Sequence, residues 1–153
     1  MLGIFAFGLQ IRKSDSIDFR IANPEEQDPE ELACKIYSPA YISLEYVLQK
    51  EGNIFQYGSQ ITIISYLSRT LSVDGHTLSY RKIKNDILYN SAGITMDNKG
   101  VSIATPERAL LDTLYLNKDF YFDSIDNLNK ELVLDMASLY QSKQLSKRVQ
   151  KLF

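Results

Sequence analysis

"ITIISYLSRTLSVDGHTLSYRKI", residues 61–83, is rich in Ile, Thr, Tyr and Val, a composition typical of β-strands. Asp74–Gly75 at its centre is the strongest turn signal in the chain and predicts a two-residue type I′ hairpin. Pairing across this turn makes one face of the hairpin mainly apolar and the other rich in hydroxyl groups, as a half-buried antiparallel ladder requires. The predicted cross-strand pairs are Val73–His76, Ser72–Thr77, Leu71–Leu78, Thr70–Ser79 and Arg69–Tyr80.

Two helices are predicted on the N-terminal side of this hairpin. In "QDPEELACKIY", Asp28 is a suitable N-cap and Pro29 fits the first helical position. In "PAYISLEYVLQKEGN", residues 39–53, Ser43 is the predicted N-cap, and Gly52 is the residue expected to end the helix.

The C-terminal side continues with a second hairpin, "GITMDNKGVSIA", residues 93–104, whose turn is predicted at Asp97–Gly100. The next segment, "TPERALLDTLYL", predicts a helix that Thr105 caps, with Pro106 at the first helical position. Apolar residues cover most of the circumference of this helix, which indicates burial except along a narrow polar stripe. Further helical patterns occupy the C-terminal segment, about residues 126–153.

These elements predict a single α+β domain over residues 1–153. We expect a central, mostly antiparallel sheet, with hairpins near 66–83 and 93–104, packed against helices and followed by C-terminal helices. The N-terminal segment "MLGIFAFGLQI" is too short to span a bilayer and is interpreted as a strand.

Cysteine and histidine each occur once, as Cys34 and His76. An internal disulfide and a cluster of Cys and His ligands around a metal are therefore impossible within the chain. Cys34 is interpreted as a structural thiol, although a nucleophile–base pair with His76 stays open, without an evident third residue to orient it. The cysteine usage favours a reducing compartment, hence the cytoplasm.

Sequence signals of phosphoryl-transfer and hydrolytic enzymes are missing. There is no P-loop, no G-x-G-x-x-G and no G-x-S-x-G, and the predicted strands carry no Glu-x-Lys. Glu107 and Asp112 are five positions apart on a predicted helix, so they diverge by about 140° around it and are poorly placed to share a metal ion. The sequence therefore predicts no catalytic residue, no cofactor and no metal site.

The net charge is −2, but residues 143–153 hold four basic residues and no acid. Two interpretations stay open for this tail. It is either a solvated helical segment or a contact surface for something anionic, such as RNA, DNA or an acidic partner.

Three segments, "SPAYISLEYVLQKEGNI", "TLSYRKIKNDIL" and "SIATPERALLDTLYL", occur in this order and spacing. They resemble the C-terminal domain of AbiEi, the antitoxin of the AbiE abortive-infection systems of bacteria, over about residues 30–117. That family has a "P-x-YIS-x-E-x-AL" helix, a strand of the "F-x-Y-x-x-I" kind and an "ATPE-K/R-ALLD-x-L" helix. The polar and turn residues that we interpret as structural parts of these segments and of the first hairpin are Tyr41, Ser43, Glu45, Gly75, Tyr80, Thr105 and Pro106.

The resemblance implies a non-enzymatic cytoplasmic antitoxin and transcriptional regulator in phage defence, which opposes a nucleotidyltransferase-like toxin. Such systems are of type IV, in which no stable antitoxin–toxin complex is expected. Family members bind operator DNA through an N-terminal winged helix-turn-helix, and too few residues precede the matched region for a complete one here. The alternative function, from another class, is a degenerate or unrecognised metal-dependent nuclease-type enzyme that acts on nucleic acid.

Six charged residues inside the matched segments form the predicted contact surface: Arg81, Lys82, Lys84, Glu107, Arg108 and Asp112. Packing explains the apolar residues of these segments, whereas exposed charge is not needed for packing. Charge reversal at Arg81 or Arg108 is then expected to change the stability by no more than about 0.5 kcal/mol, as surface substitutions usually do. The competing interpretation is a solvated face with one weak ion pair.

Overall fold

A computed structural model describes residues 28–55 and 58–153, together with a two-residue strand at 18–19. The predicted strand at residues 1–11 lies outside the described residues. The described part of the chain contains one sheet with helices packed against it, so the predicted α+β class and the C-terminal helices are confirmed.

The sheet is mixed, and its strand order is β1-β4-β5-β3-β2-β7-β6. Three neighbouring pairs are antiparallel (β4 with β5, β2 with β3, β6 with β7), and three are parallel (β1 with β4, β3 with β5, β2 with β7). The strands are β1 (Asp18–Phe19), β2 (Tyr41–Ile42), β3 (Ile61–Ser65), β4 (Arg69–Val73), β5 (His76–Lys82), β6 (Ile94–Met96) and β7 (Ser102–Ala104).

The first hairpin has the predicted register, in which Val73 pairs with His76 and Leu71 with Leu78. Its turn residue Asp74 has a φ of 49°, and Gly75 after it has a φ of 80°. Positive φ at both central positions is the conformation that a type I′ turn requires. The second hairpin, β6 with β7, is also present as predicted.

The helices begin where the capping residues predict, with one exception. Asp28 accepts a hydrogen bond from the Glu30 amide (3.1 Å), and Thr105 accepts one from the Arg108 amide (3.3 Å). The prediction that Ser43 caps the second helix is wrong. The helices are α1 (Pro29–Ile36), α2 (Glu45–Lys50), α3 (Asn85–Leu88), α4 (Pro106–Leu116), α5 (Lys130–Ala137) and α6 (Lys143–Leu152).

Leu44 directly precedes α2 with a φ of 67°, and its own side chain makes no capping hydrogen bond. The Tyr46 amide in the first turn of α2 donates instead to Oγ1 of Thr62, at 3.0 Å. The neighbouring Ser43 hydroxyl instead donates to a carboxylate oxygen of Asp112, at 2.8 Å. A buried carboxylate needs hydrogen-bond donors, and Thr62 already supplies an acceptor at the start of α2, so the Ser43 hydroxyl is free to donate to Asp112.

Helix α4 lies at the centre of the molecule and contacts α2, α5, α6 and β7. Its apolar residues Leu110 and Leu111 have no exposed surface. Because neighbouring elements contact it from several directions, α4 buries nearly its whole circumference. Other side chains of the core that are at most 1% exposed include Ile42, Leu48, Ile63, Ile64, Leu71, Leu78, Ile87, Val133, Leu145 and Val149.

Candidate functional site

The predicted contact surface divides into a buried part and an exposed part. Arg108 and Asp112 are 0% exposed and Glu107 is 9% exposed, so the prediction that they form a polar stripe on the surface is wrong. The physical reason is the packing around α4, which buries every residue of the helix from Glu107 to Leu114. Lys82 and Lys84, in contrast, are exposed as predicted.

All three nitrogens of the Arg108 guanidinium donate hydrogen bonds inside the protein. The acceptors are the carbonyl oxygens of Asn90 (3.0 Å), Ala92 (2.6 Å) and Ile87 (2.8 Å), the hydroxyl of Tyr41 (2.9 Å) and Oδ1 of Asp112 (3.4 Å). These five contacts match the five N–H donors of an arginine. Arg108 therefore ties α4 to α3, to the segment that follows α3 and to β2.

Asp112 accepts hydrogen bonds on both carboxylate oxygens. Oδ2 accepts from the Tyr41 hydroxyl (3.0 Å) and the Ser43 hydroxyl (2.8 Å). Oδ1 accepts from the Tyr140 hydroxyl (2.6 Å) and from Nε of Arg108 (3.4 Å). We call these five residues, Tyr41, Ser43, Arg108, Asp112 and Tyr140, the buried polar cluster.

Electrostatics in the buried polar cluster follow from burial and from the paired charges. Burial raises the pKa of the Asp112 carboxyl, against the opposing effects of Arg108 and the three hydroxyl donors. Burial works most strongly against the Arg108 cation, but the Asp112 carboxylate and the Tyr41 and Tyr140 hydroxyls together outweigh it and raise the pKa of the guanidinium. The pKa values of the Tyr41 and Tyr140 hydroxyls are raised by burial first and then by Asp112, which keeps both hydroxyls protonated as donors.

The tyrosine rings add a second kind of contact with the cation. The guanidinium carbon of Arg108 lies 5.0 Å from the centroid of the Tyr41 ring and 5.9 Å from that of the Tyr140 ring. Both distances are within the range of a cation–π interaction. The charges of the cluster compensate each other, and hydrogen bonds and aromatic rings surround them inside the protein. The cluster therefore stabilises the core and is not a site open to substrate.

The three segments of the resemblance meet through the side chains that they carry. Tyr41 and Ser43 contact Asp112 in the buried polar cluster. Glu45 pairs with Arg81 at 3.2 Å, which joins the first segment to the second. Tyr80 donates a hydrogen bond to the carbonyl oxygen of Ala33, at 2.6 Å, which joins the second segment to α1.

Tyr140 is a member of the cluster that the sequence did not single out within the helical patterns of residues 126–153. Its phenol is 2% exposed and donates to Asp112 from beyond the matched region. The available signal was its residue type, since a buried tyrosine hydroxyl usually has a hydrogen-bond partner. Glu107 was also misplaced; its Oε2 accepts from the amide of Asn129, the N-cap of α5, at 2.9 Å.

Two basic surfaces remain exposed. Lys82 and Lys84 follow the half-exposed Arg81 at and just beyond the end of β5, and neither lysine forms an ion pair with a described residue. On α6, the exposed side chains of Lys143, Lys147 and Lys151 follow one another at four-residue intervals, about 6 Å apart along the axis. The three lysines on α6 likewise lack ion pairs within the part of the chain that the structure describes.

Nucleophile chemistry at Cys34 is disfavoured. Its Sγ lies 3.8 Å from the carbonyl oxygen of Ser102, and burial raises the pKa of the thiol, which keeps it protonated and less reactive. His76 is exposed at the hairpin tip. Among the residues described, no group of three or more His, Cys, Asp or Glu side chains is arranged to hold a metal ion.

No known protein family, curated protein or solved structure matches this chain in comparisons of sequence and fold. Within residues 28–55 and 58–153, the structure contains no helix that is both long and apolar enough to cross a membrane.

Proposed function

We propose that this chain is a non-enzymatic antitoxin and transcriptional-regulator domain of a bacterial type IV abortive-infection system, and that it opposes a nucleotidyltransferase-like toxin. The observation that carries the proposal is the contact between the AbiEi-like segments. Tyr41 and Ser43 of the first segment bind Asp112 of the third, and Glu45 of the first pairs with Arg81 of the second.

These contacts support the resemblance because they connect its parts in space. A chance similarity of three short segments does not require that their polar residues meet. A shared fold does require it, since buried polar groups need partners. Tyr41 and Asp112, which are in contact, lie 71 positions apart along the chain.

The alternative function, a metal-dependent nuclease-type enzyme, needs carboxylate oxygens that are free to bind a metal ion. Both oxygens of Asp112 accept hydrogen bonds, and Glu107 is engaged by the amide of Asn129. The proposal therefore assigns no catalytic residue, cofactor or metal ion to these carboxylates. Thermal melts with and without Mn²⁺ separate the two functions, because a bound ion raises Tm by mass action and the antitoxin proposal expects no shift.

The exposed basic residues at the end of β5 are the contact surface in this proposal, reduced from six residues to Arg81, Lys82 and Lys84. Operator DNA would be bound through a winged-helix domain outside the matched region, and the system would act in the cytoplasm. The buried polar cluster would support the domain without touching a partner.

Growth rescue in bacteria that express the cognate toxin tests the proposal. We expect the chain to restore growth without co-purifying with the toxin. The double variant Lys82→Glu/Lys84→Glu should fold normally and lose rescue, whereas the control Lys130→Glu, at an exposed lysine where α5 begins, should rescue fully. If the folded double variant rescued growth fully, Lys82 and Lys84 would not be part of the contact surface. If the folded wild-type chain did not rescue growth, the proposed function would be overturned.

A further inference from the structure

A groove lies between the segment that follows α2 and the segment that follows α4. One part, about 280 Å³ in volume, is lined by residues that include Glu45, Tyr46 and Gln49. A second part, about 620 Å³, is lined by residues that include Phe55, Tyr121, Asp119 and Asp123. Ile54 and Phe120 line both parts, so the two adjoin and form one extended groove.

Hydrogen bonds hold the two walls of this groove together. Asp123 accepts from the Phe55 amide (2.7 Å), and its own amide donates to the carbonyl oxygen of Asn53 (2.9 Å). The Asn53 side chain donates to the Ser124 carbonyl oxygen (2.9 Å) and to the Asn127 side chain (2.7 Å). The backbone beside the groove is therefore fixed before any partner arrives, which lowers the entropic cost of binding.

Two large aromatic side chains stand exposed on this fixed backbone. Phe55 is 72% exposed and Tyr121 is 77% exposed. Exposed aromatic rings beside a groove are typical of interaction sites, because they bury much apolar area with few rotatable bonds. Phe120, which lines both parts of the groove, packs against Phe122, with 5.0 Å between the ring centroids.

The charge around the rings is mainly negative. Asp119 and Asp123 line the groove, Glu51 and Asp126 are exposed beside it, and Lys118 is the only basic residue between positions 117 and 127. At the other end, Oε1 of Glu45 is buried and accepts no hydrogen bond from any residue described, while its Oε2 pairs with Arg81. Carboxylates among aromatic rings attract cationic side chains and repel phosphates.

We propose that this groove binds an extended basic segment of a partner protein. Arginine or lysine side chains would lie over the rings of Phe55 and Tyr121 and pair with Asp119, and one would reach Oε1 of Glu45. Nucleic acid is the poorer occupant, although its bases stack on aromatic rings, because its phosphates would meet the carboxylates. The inference does not depend on the antitoxin function, since it rests on the groove alone.

Fluorescence anisotropy with a labelled nine-residue peptide of alternating Gly and Arg tests this proposal at low salt. We expect saturable binding that Tyr121→Ala weakens by about two- to fivefold, the loss of one exposed cation–π contact. Asp119→Lys should weaken it further, on the order of tenfold, because it replaces attraction by repulsion. The control Tyr89→Ala removes an aromatic side chain that is 70% exposed elsewhere and should change nothing.

Several outcomes would overturn the proposal. Binding would be nonspecific if a peptide with Glu in place of Arg bound equally well, or if Tyr89→Ala weakened binding as much as Tyr121→Ala. Displacement of the peptide by duplex DNA at low concentration would point to nucleic acid as the occupant. If sedimentation showed a dimer that Tyr121→Ala dissociates, the occupant of the groove would be a second copy of the chain.

Discussion

Replacing Arg108 by Met would remove the cation from the buried polar cluster and leave the Asp112 carboxylate without its charged partner. The carbonyl oxygens of Asn90, Ala92 and Ile87 would lose their donors in the same step. Removing one member of a buried ion pair typically costs about 3–5 kcal/mol. Because small domains are stable by only about 5–15 kcal/mol, this single change should remove a large part of the free energy of unfolding.

Urea denaturation measures this effect directly. With a slope of about 2 kcal/mol/M, a loss of 4 kcal/mol lowers the midpoint by about 2 M. The matched control is Lys35→Met in α1, since Lys35 and Glu31 form an i,i+4 pair like Arg108 and Asp112. Their Nζ–Oε2 distance is 2.8 Å, shorter than the 3.4 Å of the buried pair, but the Lys35 side chain is 47% exposed.

The N–O distance and the burial of the side chains thus predict opposite orders for the loss of unfolding free energy in the two variants. If distance decided, Lys35→Met would cost more; because burial decides, it should cost only about 0.5 kcal/mol or less. Equal losses for the two variants, or a loss below about 1 kcal/mol for Arg108→Met, would refute the structural role of the cluster. Such a result would also return Arg108 to the exposed surface that the sequence predicted.

Four further predictions concern the turns, the cap and nucleic acid. Gly93 has a φ of 73°, and a Cβ there would lie 2.9 Å from Cβ of Arg108, whereas Gly100, with a φ of 82°, has open space around it. Thermal melts should therefore show Gly93→Ala to be less stable than Gly100→Ala by about 1–3 kcal/mol, the usual cost of overpacking; similar melting temperatures would contradict this. Thr105→Ala should cost about 0.5–2 kcal/mol in urea titrations and Thr105→Ser much less, because serine keeps the capping oxygen. Gly75→Val should cost more than Thr105→Ala, since a β-branched residue resists positive φ, and a stable variant would disprove the turn. In gel shifts the chain alone should bind duplex DNA weakly and without sequence preference, given its net charge of −2; a specific nanomolar complex at physiological salt would refute this.

Local signals in the sequence predicted local structure well. The turn at Asp74–Gly75 fixes the register of the first hairpin, and the caps at Asp28 and Thr105 place two helix starts. Each depends on residues within a few positions of one another. The parallel pairing of β3 with β5 depends on how distant elements pack, and no hairpin pattern reveals it.

The prediction of an exposed contact surface on α4 was wrong for the same physical reason, because burial of a helix depends on how distant elements pack around it. The polar residues of α4 were placed on the surface because a helix considered alone needs only one buried face. In the structure, Arg108 and Asp112 find their partner Tyr41 at separations of 67 and 71 positions. A sequence read element by element could not show that two motif segments supply each other's hydrogen bonds.

Growth after toxin induction, in cells that carry the cognate toxin together with this chain, tests the central claim most directly. We expect the wild-type chain to restore growth close to that of cells with an inactive toxin. Arg108→Met should restore less growth, in proportion to its lower folded fraction. Continued growth arrest while the folded wild-type chain is present in the cells would contradict the claim that this protein is an antitoxin domain.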